Sequence, residues 1–160
     1  MERESQQEEF LKAFRTAVRE HGGRFTAERE AVSLAMYKCP THFSMEDLQQ
    51  QLDEAMFRVV RATLYNTVNE LLQYNLISRY SLWNKTIYEI CFRRPSHSHQ
   101  VCDRCGRITE FTGQELDQAI HSQKYRRFTL RTYSLWVFGT CSSCKAQIKR
   151  QEKKLKQNKQ

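Results

Sequence analysis

With 160 residues, 39% hydrophobic content, a mean hydropathy of −0.75 and a formal net charge of +8, the chain is too polar for a membrane protein and too short for one large core. No apolar run approaches the ~20 residues needed to span a bilayer, and the polar, acidic start MERESQQEEF reads as neither a signal nor a transit peptide. Six cysteines in a chain expected to be cytoplasmic, with no membrane partner, point to metal or redox chemistry rather than disulfides.

In chain order, Phe10, Leu11, Phe14 and Val18 form the apolar stripe of a first helix that stops at Gly22-Gly23. Thr26 caps a second helix over 27–38 with Ala31, Leu34 and Ala35 inward, ended by Pro40. Ser44-Met45-Glu46-Asp47 reads as a capping box opening a short third helix with Leu48 and Leu52 inward. A fourth helix over 60–74 buries Leu64, Val68, Leu71 and Leu72. Its opposite face carries Ala62, Tyr65, Asn66 and Asn69, with Arg58 and Arg61 at the same end. Small, amide and aromatic side chains near a helix N-terminus suit a major groove, and flanking arginines suit phosphates; an ordinary exposed face is the plainer alternative. Segments 76–82 and 86–92 alternate as a β-hairpin. Helices followed by a hairpin make a winged helix-turn-helix.

Beyond it, 100–102 and 107–111 read as short strands, 114–124 as a helix with Leu116 and Ile120 inward, and 128–138 as a strand alternating Phe128, Leu130, Thr132, Ser134, Trp136 and Phe138. So small a β-β-α-β lobe leaves strand edges and Leu135, Trp136 and Val137 exposed, which pairing with a second copy would cover. The expected fold is therefore α+β: an N-terminal winged helix-turn-helix (1–84), a hinge (85–95), a small β-β-α-β dimerisation domain (96–146) and a basic tail (147–160) expected to be disordered. Residues 1–84 carry ten Lys/Arg against twelve Asp/Glu, a net of −2; residues 85–160 carry sixteen against six, a net of +10. Seven of those cations lie from Lys145 to the end, so net charge alone argues only weakly for nucleic acid.

Two Cys-x-x-Cys pairs, Cys102/Cys105 and Cys141/Cys144, can close one tetrahedral S₄ shell of the kind Zn²⁺ prefers at structural sites. Gly106 permits the bend after the first pair. An iron centre of the rubredoxin kind or a redox dithiol are the competing readings. His97 and His99 alternate on an extended segment and so face one side; alone they read as a surface pair, but Glu89, Glu110 and the loop residue His42 supply further donors. A zinc hydrolase or a zinc-dependent interaction module are the rival functional classes.

The segments Gly23-Arg24-Phe25-Thr26-Ala27-Glu28-Arg29, His42-Phe43-Ser44-Met45-Glu46-Asp47-Leu48, Ala62-Thr63-Leu64-Tyr65, Tyr88-Glu89, His97 through Gly106, Glu110-Phe111 and Gly139 through Cys144 together carry a resemblance. Over about residues 10–145 the chain resembles the ferric uptake regulator superfamily of bacterial metal-responsive repressors. The resemblance implies a homodimer that binds an A·T-rich inverted repeat of operator DNA and is not an enzyme. It implies structural Zn²⁺ on Cys102, Cys105, Cys141 and Cys144, and a regulatory metal on His42, Glu89, His97, His99 and Glu110. It further implies that Arg24 touches a narrow A·T-rich minor groove and that Tyr65 contacts thymine; Arg58, Arg61, Ala62, Thr63 and Asn66 at the same helix end complete the expected DNA contacts, and members often place an arginine where Asn66 stands. Cys91 falls where similar zinc uptake regulators use a thiolate, so it is a possible regulatory ligand. The shell suits Fe²⁺, Mn²⁺ or Zn²⁺, with Fe²⁺ expected and a zinc uptake regulator as the alternative. Glu110 stands where a peroxide-sensing relative would carry Asp. The positions of an additional site found in many members are here Ser96, Ser98, Asp117 and Tyr133, too poor a shell for a cation.

Overall fold

The computed structural model describes residues 2–157, in two compact units that divide between Arg94 and Pro95. The last three residues of the basic tail lie outside the described residues.

The first unit consists of α1 (Glu2–Glu20), α2 (Ala27–Lys38), α3 (Met45–Glu54), α4 (Arg61–Gln73) and the hairpin β1 (Ile77–Leu82) and β2 (Lys85–Ile90). Local signals set the helix ends. The α1 chain reverses through Gly22, at φ 73°, while the Gly23 N–H donates to Val18 O at 2.8 Å. A Cβ on Gly23 would stand 2.9 Å from Val18 Cγ1 and 3.0 Å from Val18 O, so nothing larger than glycine fits that close approach. Thr26 caps α2 by accepting from the Arg29 N–H, and Ser44 and Asp47 form the reciprocal capping box of α3. Phe10, Phe14, Val18, Leu48, Leu52, Leu64, Val68 and Leu71 of the expected stripes form one core; α2 joins it through Val32, Ala35 and Met36, whereas the Ala31 and Leu34 expected inward are only half-buried. Arg29 on α2 forks onto both carboxylate oxygens of Glu70 on α4, with Nε to Oε2 at 2.8 Å and Nη2 to Oε1. The hairpin runs in register from Ile77 opposite Ile90 to Leu82 opposite Lys85. Phe43, just before α3, adds a short third rung, exchanging both backbone hydrogen bonds with Tyr88 at 3.0 and 2.7 Å.

The expected hinge over 85–95 needs correction, because 85–90 is a paired strand of the first unit. The alternation of Lys85–Ile90 has a partner in β1, and only 91–94 leaves the ladder.

The second unit contains β3 (Ser98–Cys102), β4 (Ile108–Phe111), α5 (Gln114–Ser122), β5 (Leu135–Gly139) and α6 (Ser142–Gln157). Its sheet has the order β4-β3-β5, antiparallel between β3 and β4 and parallel between β3 and β5. The observed β-β-α-β order is the expected one, but two lengths differ. The strand expected over 128–138 is ordered as a strand only from Leu135, because its ladder partner β3 offers five residues, from Ser98 opposite Leu135 to Cys102 opposite Gly139. The tail expected to be disordered from 147 is helical to Gln157. No Gly or Pro interrupts 142–157, and its Lys, Arg, Gln and Glu are good helix formers.

Candidate metal centres and nucleic-acid face

The turn after β3 and the first turn of α6 bring all four expected cysteines together. Their sulfurs lie within 4.8 Å of one another, and Cys105 Sγ stands 3.8 Å from Cys141 Sγ. A tetrahedron with Zn–S bonds of about 2.3 Å has edges of about 3.8 Å, so the donor set and its spacing fit zinc. The backbone builds this shell. Gly106, at φ 71°, closes the first knuckle by donating to Cys102 O at 2.9 Å, and Lys145 N–H donates to Cys141 O at 2.9 Å to start α6. The amide of Cys141 donates to Cys102 Sγ at 3.4 Å. That amide and the one of Cys105 hold the Cys102 thiol down to about 6, so a thiolate forms there first. Cys144 is pushed up to about 12, chiefly by its hydrogen bond with Cys141.

In the first unit, the Phe43–Tyr88 rung places His42 beside Glu89 of β2. His42 Nε2 is 3.7 Å from Glu89 Oε2, and the Glu89 side chain is buried. Its other oxygen, Oε1, accepts from Arg94 Nη1 at 2.6 Å. Arg94 was not singled out from the sequence; a guanidinium five residues past an acidic strand residue is a weak signal until both are in place.

In the second unit, β3 carries His99 directly opposite Glu110 of β4 and Trp136 of β5. The His99 ring stacks on Trp136, with centroids 4.0 Å apart and planes 8° apart, and is fully buried. His97 lies beside it at 4.6 Å between ring centroids. A carbonyl only accepts, so the 3.0 Å contact of His97 Nδ1 with Pro95 O puts the proton on Nδ1 and leaves Nε2 as the donor atom. That Nε2 stands 3.9 Å from Glu110 Oε1. Each unit thus holds imidazole and carboxylate side by side, a donor mix that fits a divalent first-row metal. Trp136 as the platform for His99 also went unnoticed in the sequence, where it read as strand alternation.

Cys91 is turned elsewhere. Its Sγ donates to Asn75 O at 3.5 Å, and burial pushes its thiol up. Among the described residues it joins no group of three or more metal donors. Ser96 Oγ pairs with Thr132 Oγ1 at 3.2 Å, while Asp117 accepts from Tyr133 OH at 2.8 Å and lies 3.3 Å from His121 Nδ1.

On α4, Ala62, Tyr65, Asn66 and Asn69 are all exposed, and Thr63 is half-buried. Arg61 lies over the Tyr65 ring, 5.5 Å from its centroid. Arg58 and Arg24 are exposed, and Arg24 O accepts from Arg29 Nη1. Val60, the residue before α4, provides no side-chain cap for the first-turn N–H groups.

A winged helix joined to a small sheet unit with a zinc-fitting cysteine shell defines a metal-responsive transcription regulator. Residues 20–138 match the ferric uptake regulator family, and the chain belongs to that family, whose members are regulators of transcription and not enzymes. It is 29% identical over 147 residues to the ferric uptake regulation protein of Campylobacter jejuni, covering 87% of this chain and 92% of that one. Among solved structures, the Helicobacter pylori ferric uptake regulator, described with three functional metal-binding sites, matches at a TM-score of 0.72 and 24% identity over 87% of this chain and 93% of its own. A zinc uptake regulator complexed with zinc and DNA matches at 0.53 and 23%, over 88% and 95%.

Proposed function

We propose that this protein is a cytoplasmic, metal-dependent repressor of iron-uptake and iron-homeostasis genes, binding an A·T-rich inverted repeat as a homodimer. Cys102, Cys105, Cys141 and Cys144 hold structural Zn²⁺. His42 and Glu89 in the first unit and His97, His99 and Glu110 in the second hold the regulatory metal, for which Fe²⁺ is the proposed ion. The observation that carries this reading is that each unit sets imidazole beside carboxylate, with His42 3.7 Å from Glu89 and His97 3.9 Å from Glu110.

A divalent cation would supply positive charge to the buried Glu89 carboxylate beside His42 and to Glu110 beside His97. The residues then do the regulatory work. Metal loading would favour the form whose paired α4 helices reach half-sites about one duplex turn apart. Arg58 and Arg61 fit phosphates, Tyr65 and Ala62 a thymine methyl, Asn66 a base edge, with Thr63 beside them, and Arg24 a narrow minor groove. The turn of Cys91 toward Asn75 removes the thiolate that would favour a zinc corepressor, which supports iron over the zinc-regulator alternative.

The test is operator retardation by the His97→Ala/His99→Ala variant with and without Fe²⁺. Loss of the metal-dependent shift, with zinc content and dimerisation intact, is the expected outcome. Undiminished metal-dependent binding removes the site assignment.

A further inference from the structure

Glu89 is the only carboxylate fully buried among the described residues, and its two oxygens have different neighbours. Oε2 faces His42 Nε2 at 3.7 Å, while Oε1 accepts from Arg94 Nη1 at 2.6 Å. We propose that Arg94 is a positioning residue that confines Glu89 to a single donor oxygen and thereby biases the regulatory site toward Fe²⁺ and against Mn²⁺. This rests on the reading of His42 and Glu89 as regulatory ligands.

Geometry and hardness together set this preference. A charge-assisted hydrogen bond of that length is strong, fixes the rotation of the carboxylate and draws charge from it. With Oε1 engaged, Glu89 presents one oxygen toward the imidazole of His42 instead of a bidentate edge. Mn²⁺ sits at the bottom of the divalent affinity order and favours carboxylate, carbonyl and water oxygens, so it loses most when one is withdrawn. Fe²⁺ stands above it and accepts imidazole readily, so a shell of three histidines and singly donating carboxylates suits it better. The intrinsic gap between these two ions is small, and a residue that trims oxygen donors widens it. Arg94 fills no core space: a third of its side chain is exposed (34%), at the edge of a cleft of about 630 Å³ also lined by Tyr37, Phe43, Ile90 and Phe92. Arg94→Lys keeps a cation beside the buried Glu89 and so controls for loss of folding in Arg94→Ala.

The experiment uses the full chain with the cysteine shell loaded with Zn²⁺. Mn²⁺ and Co²⁺, an air-stable stand-in for Fe²⁺, are titrated into the native protein, Arg94→Ala, Arg94→Lys and His42→Ala. Outer-shell partners of metal ligands commonly account for about 10–100-fold in affinity. Arg94→Ala is expected to lose Co²⁺ affinity within that range while Mn²⁺ affinity falls much less, so the Co²⁺-to-Mn²⁺ preference drops about 10-fold. The visible Co²⁺ bands are expected to weaken as the coordination number rises, and Arg94→Lys is expected to recover part of both effects. Equal changes for both ions, or unchanged bands, overturn the proposal and leave Arg94 as a counter-charge for a buried carboxylate. If His42→Ala binds both ions as the native protein does, the ligand reading itself fails, a result separate from anything Arg94 does.

Discussion

Single side chains decide how the cysteine shell responds to pH. The amides of Cys141 and Cys105 hold the Cys102 thiol at about 6, below its ordinary value of 9.0. A depressed acid binds fewer protons folded than unfolded, so its contribution to stability is complete above about 9 and fades as pH falls. Below about 6 it is gone. Cys144, raised to about 12, acts in the opposite sense and only above 9. Chelator-treated protein is therefore expected to lose thermal stability in its second unit as pH drops from 9 to 6; a flat midpoint across that window contradicts the account. Sequence spacing identified these four residues, since thiols at i and i+3 face one ion whatever the surroundings. It could not rank them, because the largest cause of the ranking is the amide of Cys141, which lies 39 residues away along the chain. Cys91 illustrates the reverse case: position along the chain suggested a ligand, and the turn of the side chain toward Asn75 O gave it another neighbour.

At the scale of elements, caps and stripes were readable because they are local. Thr26, the Ser44/Asp47 box and the apolar stripe of α4 all stand where the pattern placed them. Strand ends were less readable, because a strand is as long as its partner allows, and the partner is distant in sequence. That is why β5 starts at Leu135 and why Lys85–Ile90 belongs to a ladder and not a hinge. The α2–α4 packing, which sets the attitude of the nucleic-acid face, is fastened by the Arg29–Glu70 fork, half-buried at 21% and 25% side-chain exposure. Hydrogen bonds to charged groups contribute about 1.5–3 kcal/mol each before solvent screening, so Glu70→Ala is expected to cost about 1–3 kcal/mol. Urea denaturation of the first unit measures it; an unchanged midpoint would mean the fork is ornamental.

For the whole molecule, the proposed coupling between metal and operator is bound by reciprocity. If the metal raises operator affinity by ~5–150-fold, a coupling of ~1–3 kcal/mol, the operator must raise metal affinity by the same factor. Calorimetric titration of Fe²⁺ or Co²⁺ into the protein, alone and with operator duplex, reads this directly. Equal metal affinities with and without DNA, beside metal-dependent retardation, would violate the linkage and rule out a regulatory site of this kind.

The sequence by itself determined the helix order, the wing, the cysteine shell and the family, because these rest on periodicity, capping and short spacings that neighbours along the chain enforce. Only the tertiary structure decided which oxygen of Glu89 meets Arg94, that His99 lies flat on Trp136, and that Cys91 turns toward Asn75. Those choices depend on side chains brought together from distant strands and turns, and no local pattern encodes the direction in which a buried group finds its partner.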